Sequence, residues 1–384
     1  MASATSNGKA PTLVVLQMAG ANDYLNTVIP YANPLYYDNR PTVHIPEDQV
    51  LHIDDQVGFH PNMHAIKRLY DEGKVAIIHG IGYPHPNYSH FRSTDIWYTC
   101  EPDKVSSEGW LGKAVRDLDP KGDNVLTAVN FGRGMPRALA LRGVPVASVA
   151  QLDTYGVLST LSGATRPLVM EAFTRMYSGP EVGNEVLRYM GQTGLDAQKG
   201  ADILRSAVDT YASTVPYPEG NPVAANLKAV AQVKFADLGT RIFYTAHGSF
   251  DTHASELPAH AKLWKDVDGA IDAFFHDLRA NQQADDTIML LWTEFGRRVR
   301  DNGSGTDHGA GGMAMVIGER VKGGMYCTYP SLKDADLTQP SEGMFGNLRY
   351  NYDFRGLYST ILERWLGLDA KAIVGGSFEQ LSFV

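Results

Sequence analysis

Apolar residues in this chain come in short dense runs separated by longer, periodic stretches. Thr12–Met18 (TLVVLQM), Val75–Tyr83 (VAIIHGIGY), Arg241–Gly248 (RIFYTAHG), Asp286–Phe295 (DTIMLLWTEF) and the later MAMVIG run have the length and continuous apolarity of buried strands. The stretches between them carry helical spacing. One amphipathic helix is expected over residues 62–72. A second, within KLWKDVDGAIDAFFHDLRAN, sets Leu263, Val267, Ile271, Phe274 and Phe275 on one face. DFRGLYSTILERWLG reads as a C-terminal helix capped by Gly367. Fully apolar strands alternating with helices predict the α/β class, with a mostly parallel sheet sandwiched between helices.

Residues 150–235 differ in character, being rich in Ala, Leu, Thr and Tyr, with helical spacing in PLVMEAFTRMYSG and VGNEVLRYM and a Pro/Gly break in VPYPEGNP at 215–222. They read as a helical insertion or cap within a single domain spanning 12–384, preceded by a flexible N-terminus at 1–11. No internal repeat and no low-complexity tract stands out.

The chain has 384 residues, 43% hydrophobic and 20% charged, enough for a sizeable core. A net charge of -9 without a Lys/Arg-rich run argues against a nucleic-acid partner. It also means that an anionic substrate must be drawn by local positive charge, from metal or a few arginines. Cys100 and Cys327 are far apart and form no C-x-x-C pair, which excludes a zinc–thiolate site; two plain buried thiols are the expectation, with one disulfide as the alternative. No apolar run approaches the ~20 residues of a membrane-spanning helix. The start, MASATSNGKAP, has no apolar signal core, as in a cytosolic protein or a trimmed mature one.

In open parallel sheets, ligands bind outside the carboxyl ends of the strands. Asp23 follows the first strand here, and His85, Ser89, His90, Arg92 and Ser93 follow the second. Asp251, His253 and His260 follow the third; Glu294, Arg297 and Arg298 follow the fourth; and Asp307 and His308 lie in the next loop. Carboxylate oxygen and imidazole nitrogen together suit Zn, Mn, Ca or Mg, one ion or two. Such ions clamp an anionic tetrahedral centre, a nearby serine hydroxyl can attack it, and arginine grips its oxygens. Plainer roles stand beside these. Asp23 caps a helix equally well, Asp251 suits a turn, and the buried Glu294 has as its partner either a metal or Arg297 or Arg298. His60 and His64 share a helix face without a third ligand, and His44, His52 and His276 read as surface or core residues. The chain contains no G-x-S-x-G, H-E-x-x-H or G-x-x-x-x-G-K-[ST] motif, and its first strand lacks G-x-G-x-x-G.

The segments GANDYLNTVIPY, GFHPNM, GIGYPHPNYSHFRSTDIW, FDTHASELPAH, TEFGRRVRDNGSGTDHG and DFRGLYSTILERWLG together resemble the family called domain of unknown function 1501. That family is grouped with the alkaline phosphatase superfamily, beside sulfatases and cofactor-independent phosphoglycerate mutases. The resemblance implies an alkaline-phosphatase-like fold with a metal site at the sheet edge. It gives Asp23 as the early ligand and Ser89 as the nucleophile at a helix start, with Ser93 or His90 as alternatives. Asp251, His253 and His260 match the third-strand ligands, and His308 the late histidine. The chain departs from the superfamily pattern in having Glu294-Phe295 where Asp-His is usual, an Asp-x-His spacing at Asp251, and no Cys/Ser-x-Pro-x-Arg sulfatase motif. Family members often carry a twin-arginine export signal, so the resemblance implies export, with cytoplasmic residence otherwise.

The combined expectation is a metal-dependent hydrolase of a phosphate or sulfate ester, taking a small-molecule or saccharide-type substrate. Asp23, Asp251, His253, His260, Glu294, Asp307 and His308 are the candidate metal residues; Ser89, His90, Arg92 and Arg297 are the candidate catalytic ones. The alternatives are a non-catalytic metal-stabilised binding or assembly protein and a metal hydrolase of another ester or amide bond.

Overall fold

The computed structural model describes residues 8–152, 155, 165–178, 185–342 and 345–384. The first half runs β1 (Thr12–Met18), β2 (Val28–Ile29), α1 (Pro34–Asn39), β3 (Leu51–His52), β4 (Gly58–Phe59), α2 (His64–Asp71), β5 (Val75–Gly82), α3 (His90–Thr99), α4 (Trp110–Leu118), β6 (Ala128–Phe131) and β7 (Ala147–Val149). Three helices follow: α5 (Thr165–Ser178), α6 (Glu185–Thr210) and α7 (Pro222–Phe235). The remainder comprises β8 (Ile242–His247), α8 (Glu256–Ala280), β9 (Thr287–Trp292), β10 (Arg297–Asp301), β11 (Thr306–His308), β12 (Gly312–Ile317), β13 (Gly324–Tyr326), β14 (Tyr352–Asp353), α9 (Phe354–Thr360) and α10 (Ala370–Val374).

Nine strands form one sheet in the order β13-β5-β12-β9-β1-β8-β6-β7, with β14 pairing β5. β1 lies at the centre, parallel to both neighbours, so that Leu13 stands beside Ile242 and Ile288. All its residues are buried because both faces are covered. Val14, Leu16 and Met18 join Ile66 of α2, Val223 of α7 and Trp264 of α8 in one core. Leu13 and Val15 join Trp97 of α3, Trp110 of α4 and Leu357 of α9 in the other. Alternate residues of one strand thus feed two apolar layers, each fully buried large side chain being worth about 1.5–3 kcal/mol.

Four of the five expected strands lie parallel. The fifth, β12, runs antiparallel to both β5 and β9, a direction that apolarity alone does not encode. Its amino end therefore lies at the edge where β1, β5, β8 and β9 end. α7 begins where the Pro/Gly break ends: Asn221 caps it, accepting from Val223 and Ala224 N–H groups, with Pro222 in the first turn. α7 packs its Val223, Leu227 and Val230 into the sheet-covering core. Residues 153–154, 156–164 and 179–184 of the expected insertion, and residues 1–7 of the N-terminal stretch, lie outside the described residues. The C-terminal helix continues from α9 as one π turn over Ile361–Leu366, and Gly367 ends it at φ 73°, as its sequence position foretold. Both cysteines are free; Cys100 is buried, but Cys327 is exposed just past the edge strand β13, contrary to the expectation of two buried thiols. Among the described residues, no helix is long and apolar enough to cross a membrane.

Candidate metal centre

Four segments converge at the carboxyl edge of the central strands. α3 begins with His90, the turn after β8 carries Asp251 and His253, and Glu294 lies just past β9. The β10–β11 hairpin supplies Arg297, Asp307 and His308. Because β12 is antiparallel, the hairpin ahead of it returns to this same edge. Glycine makes the approach feasible. A Cβ on Gly20, at φ 114°, would stand 2.6 Å from the Asp251 nitrogen, and one on Gly305 would stand 2.2 Å from the Thr252 carbonyl.

His90, Asp251 and His308 each offer an atom within 4.8 Å of the other two. The Nε2 atoms of His90 and His308 are 3.0 Å apart. Asp251 Oδ2 lies 3.3 Å from His90 Nε2, and Oδ1 lies 3.2 Å from His308 Nε2. A tetrahedral ion with ligand bonds of about 2.0–2.1 Å sets its donors about 3.3 Å apart, so these spacings suit a common cation. His253 adjoins two of the three: its Nε2 is 2.9 Å from His308 Nε2 and 3.0 Å from Asp251 Oδ1.

The other nitrogen of each ring meets an acceptor. His90 Nδ1 donates to Glu294 Oε1 at 2.7 Å, His308 Nδ1 to the Tyr88 carbonyl at 2.7 Å, and His253 Nδ1 to Asp307 Oδ1 at 3.2 Å. Carbonyls and ionised carboxylates cannot donate, so the ring protons are assigned to Nδ1. Three Nε2 lone pairs and a carboxylate then face one another with no proton to share. Such a group repels itself unless a cation sits within it, and this orientation of histidines by acceptors behind them is how metal ligands are held. The residues therefore fit a divalent metal.

The surrounding charges agree. Burial would raise the Asp251 pKa, but the Arg297 guanidinium, donating Nη1 to Oδ1 at 2.7 Å, holds it below the usual aspartate range. His308 is pushed down by burial. His90 is pushed up, chiefly by its hydrogen bond to Glu294, so in metal-free protein a proton is the competing cation. Burial would raise Asp307 as well, but hydrogen bonds from Asn302 and His253 lower it.

Other expected ligands are placed elsewhere. Asp23 is fully buried and paired through both carboxylate oxygens with buried Arg40, so a guanidinium already neutralises it. His260, also buried, bonds Asn22 Oδ1 and the Trp264 indole. Neither joins the cluster. Glu294 and Asp307 stand behind the histidines and orient them. Arg297 is 1% exposed and spends its guanidinium on Asp251 and on the Thr306 hydroxyl and carbonyl. It has no free edge for substrate, which corrects the expected grip. The Arg92 guanidinium bonds Asp95 and the carbonyls of Glu101, Pro102 and Lys104, and its side chain stays partly exposed. Ser89 is exposed at the head of α3, and its hydroxyl makes no capping bond. Sequence reasoning missed Arg40; a lone arginine among tyrosines and asparagines gives no signal of a partner 17 residues earlier.

A cavity of about 850 Å³ adjoins the cluster, its lining including His90, Asp251, Glu294, Gln17, Phe91 and Tyr98.

Residues 184–374 match the model of a family described as protein of unknown function, DUF1501. The match contains Asp251, His253, Glu294, Arg297, Asp307 and His308; His90 lies outside it. Among curated proteins, none matches the chain in sequence. Among solved structures, the chain is similar to the PsFucS1 sulfatase from Pseudoalteromonas sp., at 12% identity and TM-score 0.40, over 98% of this chain and 71% of that one. It is also similar to a putative sulfatase from Bacteroides thetaiotaomicron, at 11% identity and TM-score 0.38, over 97% and 76% of the two chains. A protein in the alkaline phosphatase superfamily from Vibrio parahaemolyticus is similar at 11% identity and TM-score 0.36, over 83% and 62%.

Proposed function

We propose that this protein is a metal-dependent hydrolase of phosphate or sulfate esters. The observation that carries the reading is the convergence of imidazole Nε2 atoms and the Asp251 carboxylate, with every ring proton held on the far nitrogen. His90, Asp251 and His308 would hold one divalent ion, with His253 beside them. Nitrogen-rich donors favour Zn or Mn over Ca or Mg, which prefer oxygen. A bound divalent cation supplies Lewis acidity toward a phosphoryl or sulfuryl oxygen.

The protein groups have separable tasks. Arg297 keeps Asp251 anionic and oriented. Glu294, Asp307 and the Tyr88 carbonyl fix the three imidazoles. Ser89, exposed beside His90 at the amino end of α3, is the proposed nucleophile, its alkoxide favoured by the helix dipole. The adjoining cavity takes the organic moiety of the ester.

The test is hydrolysis of 4-nitrophenyl phosphate and 4-nitrophenyl sulfate by metal-loaded protein. Turnover lost in Ser89→Ala with metal content unchanged supports the assignment; no turnover of either ester at full metal occupancy defeats it. One observation favours a second reading, a metal-stabilised binding protein. The Phe295 ring lies 5.0 Å from His90 and 5.2 Å from His308. It walls the cluster with carbon where the related pattern has a ligand.

A further inference from the structure

Gln17 is out of character with its strand. It lies among apolar residues near the carboxyl end of β1, is 3% exposed, and pairs in register with Ala246 and Trp292. A carboxamide buried there is costly unless its hydrogen bonds are met. Its oxygen is met twice over, accepting from Tyr98 OH at 2.7 Å and from Tyr244 OH at 2.6 Å. Tyr98 stands on the helix that begins with His90, and Tyr244 on the strand that leads to Asp251. Two elements that carry the metal centre thus also clamp this amide. Its nitrogen has no protein partner among the described residues and is not sealed in the interior. Gln17 borders the cavity beside the centre, so the free N–H groups are its polar edge there.

Phe91 supplies the apolar counterpart. It follows His90 directly, borders the same cavity, and is 91% exposed. Phe345 and Tyr189 are also exposed, at 58% and 49%, but Phe91 stands further out than either, and beside the pocket it offers a flat face for a ligand.

The geometry points to Gln17 and Phe91 as the specificity elements of a subsite beside the metal centre, for a hydroxyl-bearing ring on the organic side of the ester. The Gln17 amide donates to a ring hydroxyl or ether oxygen while Phe91 covers the ring's apolar face. This rests on the hydrolase reading for the ester, but the binding geometry stands apart from turnover. A donor fixed at its oxygen end by two tyrosines cannot swing away, so an analogue without hydroxyls leaves it unpaired.

The experiment compares esters matched in ring size: myo-inositol monophosphate and monosulfate against cyclohexyl phosphate and sulfate. Both kcat/KM and the Kd from ligand-observed NMR are measured on metal-loaded protein. The wild type should favour the hydroxylated partner about tenfold, the scale of one hydrogen bond. Gln17→Glu keeps two oxygens for the tyrosines and replaces both amide donors by at most one carboxyl proton; it should cut that preference, with metal content measured on the same protein. Phe91→Ala, at an exposed site, should weaken binding of both esters of a pair. Equal Kd values for the paired compounds in the wild type overturn the subsite, whether or not any ester is hydrolysed. A preference that survives Gln17→Glu overturns the role of Gln17, and if that variant fails to fold, the wild-type ratio and Phe91→Ala decide. No turnover with the NMR preference intact defeats the hydrolase reading and leaves the subsite standing.

Discussion

Glu294 and His90 are joined by a 2.7 Å hydrogen bond from the ring nitrogen turned away from the ligand cluster. Glu294 is 2% exposed, and the same carboxylate oxygen accepts from the Gly20 backbone at 2.9 Å. It is therefore a fixed acceptor that sets the tautomer and direction of His90. Glu294→Gln should weaken metal affinity about 10–100-fold, the usual cost of losing an orienting partner, with the fold retained. Competition with a chromophoric chelator measures this; unchanged affinity would make Glu294 a structural carboxylate only.

Asp251→Ala and His308→Ala should each lose the bound metal, as read by elemental analysis. Asp23→Ala should keep it. Because Asp23 neutralises the fully buried Arg40, its removal should instead destabilise the protein by about 3–5 kcal/mol in urea unfolding. Metal loss in Asp23→Ala without loss of stability would restore the early-ligand role that the sequence suggested.

Glu256 gives a pH dependence of opposite sign to the usual acid effect. It is fully buried, accepts from Thr306 Oγ1 at 2.6 Å and from Asn26 at 3.1 Å, and is pushed well above its ordinary 4.5 by burial and then by Asp23. Its proton stays on in the folded state while the unfolded chain has released it. The stability it contributes is thus fully present below pH about 4.5 and is lost as pH rises toward the folded pKa. Asp23 runs the other way: burial would raise it, but Arg40 holds it low, so its contribution is present above 3.8 and is lost as pH falls. Between pH about 5 and 8, wild-type stability should decline by up to about 1.4 kcal/mol per pH unit from Glu256. Glu256→Gln should flatten that slope; equal slopes in urea titrations would show Glu256 ionised in the fold.

Chelation should lower Tm, because an ion that binds only the folded state stabilises it by mass action, about 2.7 kcal/mol at a hundred times Kd. The shift should shrink as pH falls, since His90, raised by Glu294, takes up a proton in place of the ion. A Tm that ignores chelator at every pH would leave the histidines as structural groups.

Gly20→Ala should damage the site more than the core. Its Cβ would collide with the Asp251 nitrogen, and its φ of 114° disfavours any side chain. Metal content should fall further than the urea midpoint; the reverse order would place Gly20 outside the site.

The central strands and long helices were legible in the chain because burial on both faces makes the strands dense in apolar residues, and Gly367 marks a helix end by its left-handed φ. Asp251, His253 and His308 stood out in the chain because ligand-type residues follow closely on apolar strands, and the folded chain brings the three together. The sequence by itself thus determined the α/β class and the placing of titratable residues just beyond the ends of the central strands. Tertiary structure decided which of them meet. Asp23 follows β1 as a ligand would, yet Arg40 reaches it first, and no local pattern records a pairing across 17 residues. His90 and Ser89 are neighbours, and only the direction in which α3 starts turns the imidazole inward and leaves the serine exposed. Whether β12 runs with or against β9 is invisible in MAMVIG, yet that direction returns His308 to the edge where His90 stands. Gln17 is one polar residue in an apolar strand, and its partners, Tyr98 and Tyr244, come from distant segments that only the fold brings to it. Local pattern encodes what must be buried; the partners of buried polar groups are fixed only when the chain closes on itself.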